Sequence, residues 1–197
     1  VLYCNVKSKL CEQVKIVTKR TMLSKISQIY DVFGFFAAFV VKAKIMLQDL
    51  WKQKLDWDEP VNETTEIKFR KWTDELSLLS SIKIPRYLFT QLNSVSNIQL
   101  HGFADASESA YGAVVYVRAE DNQGTVHINY LISKTRVAPL KAISVARLEL
   151  MAAHCLSKLI NYIMDGLNPA LTVDKIHLWL DSEIALAWIA KPSSHWK

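Results

Sequence analysis

The stretch from Ile98 to Ser133, IQLHGFADASESAYGAVVYVRAEDNQGTVHINYLIS, decides the fold. It reads as three short strands. Ile98 to Asp105 is the first and Tyr111 to Arg118 (YGAVVYVR) the second, rich in β-branched and aromatic residues. Asp121-Asn122-Gln123-Gly124 is a turn, and Val126 to Ser133 is the third. Connections this short predict an antiparallel meander.

Downstream the period changes. Ser144 opens a long helix with Leu148, Met151, Ala152, Cys155, Leu159 and Ile163 as its apolar stripe, and Asp165-Gly166 is expected to end it with a left-handed glycine cap. Ile176 to Asp181 is a fourth strand, separated from the third by that helix, so parallel pairing with an earlier strand is expected. A further helix through Ile184, Trp188 and Ile189 follows Asp181 directly. Upstream, Thr18 to Leu79 reads helical. A short helix capped by Thr18 or Thr21 runs to about Tyr30, a turn covers Asp31 to Gly34, and a second helix spans Phe35 to Lys54. Val40, Met46, Leu47, Leu50 and Trp51 are expected on the inner side of that second helix. Leu55 to Pro60 breaks the pattern. A third helix, Glu63 to Leu79, aligns Phe69, Trp72, Leu76 and Leu79 on one face, and Tyr87 to Ser96 is a connector. Two regions follow: a helical one over residues 1–96 and an α/β one over 97–197.

Three acids stand where chemistry is more plausible than salt bridging. Asp105 ends the first strand and Asp181 the fourth; if those strands are parallel neighbours, their C-terminal ends lie side by side, where ligands of open α/β sheets bind. Glu149, in the first turns of the long helix, is one position off its apolar stripe. Three converging carboxylates repel one another unless divalent cations intervene, and hard oxygen ligands suit Mg²⁺. Taken singly each acid has a plainer reading: Asp105 as a turn residue, Asp181 as an N-cap.

Composition narrows the classes. Half of the 197 residues are apolar, and five Gly with five Pro argue against a disordered or fibrous chain. The longest apolar run, Val32 to Val41, is too short for a membrane span. Cys4, Cys11 and Cys155 form no C-x-x-C pair, which argues against a disulfide framework or zinc site and for a reducing, intracellular setting. Cys155 is expected as core filler, and the five histidines share no metal-ligand spacing. Trp51, Trp72, Trp179 and Trp188 are expected in the core. Residues 1–97 carry 15 Lys and Arg against 10 Asp and Glu, whereas 98–197 carry nine of each. The basic excess of the first half suits a phosphate backbone or an ordinary solvated surface equally well.

Phe103-Ala104-Asp105-Ala106-Ser107 followed by Tyr111-Gly112-Ala113-Val114-Val115 resembles the first hairpin of RNase H domains in reverse transcriptases. Arg147-Leu148-Glu149-Leu150-Met151-Ala152-Ala153 resembles the helix that supplies the catalytic glutamate, and Leu180-Asp181-Ser182 the third catalytic strand. In the first half, Thr18 to Ile26, Tyr30 to Gly34, Lys42-Ala43-Lys44-Ile45, Leu55-Asp56-Trp57-Asp58 and Ile84-Pro85-Arg86 resemble the segment after the polymerase palm in BEL/Pao long-terminal-repeat retrotransposons. Such sequences often carry the label "Pao retrotransposon peptidase", but no D-T-G or D-S-G motif occurs, so no peptidase activity is expected.

The resemblance implies an α/β chain with a thumb/connection-like helical region, then an RNase H-like fold that is incomplete at its C-terminus. It implies two-metal hydrolysis of the RNA strand of an RNA–DNA hybrid with Mg²⁺ or Mn²⁺, Asp105 bridging both ions, Glu149 holding one and Asp181 the other. Ser107 and Ser182 would touch the nucleic-acid backbone or cap neighbouring elements, and the helical half, with Lys42 and Lys44, would grip the duplex. The family usually has Pro where this chain has Val32, and often near Ala38. No Y-x-D-D motif is present, and the family's fourth carboxylate is not reached by Lys197. The chain alone is therefore expected to be nearly inactive but to bind hybrid weakly, as part of a polyprotein housed in virus-like particles. A catalytically dead nucleic-acid-binding module, or the remnant of a decayed element, is the alternative.

Overall fold

The chain is described by a computed structural model over residues 2–3, 12–84, 95–167 and 172–195. Pro85, Arg86, Cys4, Cys11, Trp196 and most of the expected connector lie outside the described residues. The chain divides into two compact units, Val1–Val32 with Phe36–Leu88, and Phe33–Phe35 with Phe89–Lys197.

The first unit is helical. Strands β1 (Leu2–Tyr3) and β2 (Lys83–Ile84) pair antiparallel, and between them run α1 (Lys19–Ser27), α2 (Ala37–Lys52) and α3 (Glu63–Glu75). Thr18 caps α1 in a reciprocal box with Thr21, and Asn62 caps α3 by accepting from the Thr65 N–H at 2.9 Å. The Asp31 carboxylate takes the Phe36 N–H at 2.8 Å just before α2. Phe69, Trp72, Leu76 and Leu79 are all buried, as their spacing predicts, although the last two belong to a 3₁₀ extension, Leu76–Ser81. Trp51 departs from expectation. It is 46% exposed, packs edge-on against Trp57 at 5.2 Å and lies under the Lys19 ammonium at 4.3 Å, a cation–π site instead of a core position.

In the second unit β3 (Val95–Ala106), β4 (Ala110–Asp121) and β5 (Val126–Val137) form the meander, α4 (Val145–Leu167) crosses it, and β6 (Lys175–Trp179) returns parallel to β3 before α5 (Glu183–Ile189). The sheet order is β5-β4-β3-β6. This is the expected architecture, with β3 between the hairpin partner and the parallel strand. β4 shows why it forms: Tyr111, Ala113, Val115, Val117 and Ala119 alternate inward, and with Leu100 and Ala104 they build the face on which Leu148, Ala152, Leu156 and Leu159 of α4 pack. Gly102 leaves room for α4, since a Cβ there would lie 2.6 Å from Leu156 Cδ1.

Three expectations fail here. Gly166 is no cap: α4 runs on to Leu167, and the positive-φ glycines among the described residues are Gly34 and Gly124. Trp179 is 52% exposed, because alternation along β6 sends it to the sheet face opposite α4, where it stacks on Phe103. Trp188, also expected in the core, is only half-buried, and Ala185 is the buried residue of α5.

Phe33–Phe35 completes this unit. Phe33 O accepts from the Ser133 N–H at 2.9 Å and the Tyr130 hydroxyl at 2.8 Å, while Gly34 O accepts from Ser133 Oγ at 2.7 Å. Gly34 has φ +75°, and a Cβ there would fall 2.1 Å from Ser133 O. The segment straps the outer edge of β5.

Candidate metal centre

The centre is assembled by register. β3 and β6 carry the same spacing, His101-x-Phe103-x-Asp105 and His177-x-Trp179-x-Asp181. Parallel in-register pairing sets His101 against His177 and Phe103 against Trp179. The imidazoles stack at 4.9 Å and the larger rings at 6.4 Å. The same register brings Asp181, two residues past the end of β6, beside Asp105. At the other end of β6, Asp174 fixes the alignment: its carboxylate accepts from the Ile98 N–H at 2.7 Å, and its own N–H donates to Ile98 O at 2.8 Å.

Asp105, Glu149 and Asp181 each present one carboxylate oxygen such that all three atoms lie within 4.8 Å of one another. The two aspartates are exposed and Glu149 is buried. Asp105 Oδ1 accepts from the Ala106 N–H at 2.7 Å. Among the described residues none of the three is in an ion pair. Burial pushes the Glu149 carboxyl above the ordinary range, the charges of Asp105 and Asp181 push the same way, and the Ala106 N–H partly offsets them. Glu149 Oε2 is buried without a hydrogen-bond partner. A buried carboxylate with an orphan oxygen, clustered with two further carboxylates, fits a hard divalent cation such as Mg²⁺ or Mn²⁺, which takes oxygen donors and cancels the repulsion.

The other expected site residues are placed differently. The Ser107 hydroxyl stays in the β3–β4 turn, accepting from the Ala110 N–H at 3.2 Å and donating to its carbonyl at 3.1 Å. Ser182, not Asp181, caps α5 by accepting from the Ala185 N–H at 3.2 Å. Both hydroxyls thus hold the backbone next to an acid. Lys42 and Lys44 are exposed on α2 in the helical unit. Cys155 is buried in the core, and its thiol is pushed up by that burial. The stacked histidine pair was missed by searching for metal-ligand spacings; the shared spacing to the two aspartates was the signal for it.

Among the described residues, no helix is long and apolar enough to cross a membrane. No curated protein matches the sequence. A solved structure of a foamy viral protease-reverse transcriptase dRH in complex with ds DNA is similar at a TM-score of 0.43 and 12% identity, over 95% of this chain and 30% of that one. The chain thus spans under a third of that protein's length. A family model described as the Pao retrotransposon-like RNaseH-like domain matches residues 18–182, through the helical unit and all three acids, and the chain belongs to that family.

Proposed function

We propose that this chain is part of a retrotransposon reverse transcriptase and that its sheet unit hydrolyses the RNA strand of RNA–DNA hybrids. The convergence of Asp105, Glu149 and Asp181 within 4.8 Å, one oxygen of Glu149 being buried and unpartnered, carries the reading. These three residues would hold divalent ions, which when bound as a pair activate a water and stabilise the leaving oxygen. The protein's own part is positioning. Asp105 is held inside β3, with one oxygen on the Ala106 N–H. Ser182 fixes the turn that follows Asp181, and the core packing of Leu148 and Ala152 on either side of Glu149 sets where the third carboxylate stands. Discrimination of RNA from DNA would rest on contacts to the 2′-hydroxyl. The helical unit, with Lys42 and Lys44, would supply further backbone contacts, as the thumb and connection of the parent enzyme.

The test uses a hybrid, a duplex DNA and a duplex RNA of one sequence, each with Mg²⁺ and with chelator. Mg²⁺-dependent cleavage of the RNA strand of the hybrid alone is expected. Asp105→Asn should lower it by more than the roughly 10–100-fold that loss of an outer-shell partner costs. Hybrid binding without cleavage would favour the dead binding module.

A further inference from the structure

We propose that Lys134 and Arg136 on β5, flanked by Lys158 on α4, form a second nucleic-acid contact that grips a phosphodiester backbone away from the cleaved bond. The inference rests on the hydrolase reading above and extends it to residues outside the carboxylate centre.

The placement follows from register. Across the sheet, Ala104 pairs with Ala113 and Ala113 with Lys134; Ala106 pairs with Tyr111 and Tyr111 with Arg136. Asp105 lies between Ala104 and Ala106, so the two cations bracket its row two strands away. At about 4.8 Å per strand, their backbone stands on the order of 10 Å from that of Asp105. Alternation sends both side chains to the face that carries α4, since Ala104, Ala113 and Tyr111 in the same rows are buried against it. Lys158 stands one helical turn on from Cys155 in α4, and the positive charges of Arg136, Lys134 and Lys158 all act on the Cys155 thiol.

All three are exposed, and among the described residues none of them is in an ion pair or side-chain hydrogen bond. Other cations here do have carboxylate neighbours: Arg118 lies 3.8 Å from Glu120, Arg70 is 2.6 Å from Glu66, and Arg20 is 2.7 Å from Asp58. Like charges without an ion-pair partner repel one another, and a polyanion relieves that repulsion. Phosphates recur at about 3.4 Å of axis per strand, so a backbone engaged at the carboxylates reaches the cations within a few nucleotides. Phosphate contacts set register without reading sequence, which suits an enzyme acting on any hybrid.

The experiment measures hybrid affinity of the whole chain against salt, in Ca²⁺ to hold cleavage down, for the parent, Lys134→Ala/Arg136→Ala, and a control, Lys175→Ala/Lys191→Ala, that removes the same charge elsewhere in the unit. Each phosphate contact contributes about 0.9 to the slope of log affinity on log salt, so the first variant should lose about 1.8. Between 50 and 200 mM salt the parent would then lose about twelve-fold more affinity than the variant. The control should keep the parent slope, and Lys134→Arg/Arg136→Lys should restore it. Equal slopes for the parent and Lys134→Ala/Arg136→Ala, with both folded by circular dichroism, overturn the second contact and leave the hydrolase reading standing. A parent that binds no hybrid at any salt overturns both.

Discussion

Replacing Glu149 by Gln should stabilise the protein when no divalent ion is present and destabilise it relative to the parent when one is. Two unit charges 4.8 Å apart, the span of the three oxygens, repel by about 0.9 kcal/mol at the dielectric of water and by about 3.5 kcal/mol at an effective value of 20. Asp105 and Asp181 are exposed, so the lower figure applies, and the two repulsions felt by Glu149 come to about 2 kcal/mol. Gln keeps the shape, removes the charge, and offers an amide donor to its neighbours. For a chain of this size that is roughly 4–8 °C in Tm. Because the folded-state pKa of Glu149 is raised, its favourable contribution is complete below its unfolded value and is lost as pH rises through the folded one. The advantage of Gln should therefore grow as pH rises through the folded value and vanish in acid. Saturating Mg²⁺ reverses the order: at a hundred times Kd a bound ion adds about 2.7 kcal/mol to the parent, and less to a variant short of one ligand. Thermal melts in chelator and in Mg²⁺, at pH 7 and in acid, are paired with hydrogen exchange of the β4 amides, which reports on the sheet unit alone. A variant that melts below the parent in chelator at pH 7 would refute the reasoning about charge, and an equal response of both proteins to Mg²⁺ would refute Glu149 as a ligand.

Three further outcomes are expected. Gly102→Ala should cost about 1–3 kcal/mol in urea unfolding, because its new Cβ meets Leu156 Cδ1 at 2.6 Å and Leu178 Cδ2 at 3.0 Å; no loss would mean that α4 can shift at no cost. Burial holds His101 below its ordinary pKa of 6.5, and the charges of His177 and Arg118 act in the same direction. Its contribution is present above 6.5 and lost as pH falls below it, so His101→Asn should flatten stability against pH in that window, and an unchanged profile would exclude the pair as its source. Gly34→Ala should loosen the strap by about 1–3 kcal/mol and speed exchange of the Ser133 amide, which donates to Phe33 O, while amides in the middle of β4 keep their rates.

The sheet was legible because its signals are local. The period-2 alternation of Tyr111 to Ala119, the short connections, and the stripe Leu148, Ala152, Cys155, Leu159 each specify one element and one buried face. The placement of the three acids was legible for the same reason, since strand ends and the first turns of a helix can be located from pattern. Faces were harder. Trp51 and Trp179 look like core by composition, but burial depends on which partner covers a face, and one finds a lysine while the other finds a phenylalanine on an open sheet. Gly166 after Asp165 reads as a stop, yet α4 runs through it to Leu167 and Gly166 does not take the left-handed conformation. Nothing local marks Phe33-Gly34-Phe35 as partners of Ser133; the bonds join residues 97 and 99 apart in the chain, beyond the reach of any window.

That strap has a consequence for synthesis. At about 5–20 residues per second a ribosome releases Phe33 roughly 5–20 s before Ser133 exists, so two aromatic rings wait in the nascent chain for an edge not yet made. The sheet, for its part, is not a contiguous cassette. A gene segment beginning at residue 95 encodes every strand of the meander but not the tripeptide that covers β5, and it leaves open a strand edge of the kind that pairs with other chains. Recombination that trades this unit between elements must therefore carry residues 33–35 along with it, or supply another cover for that edge.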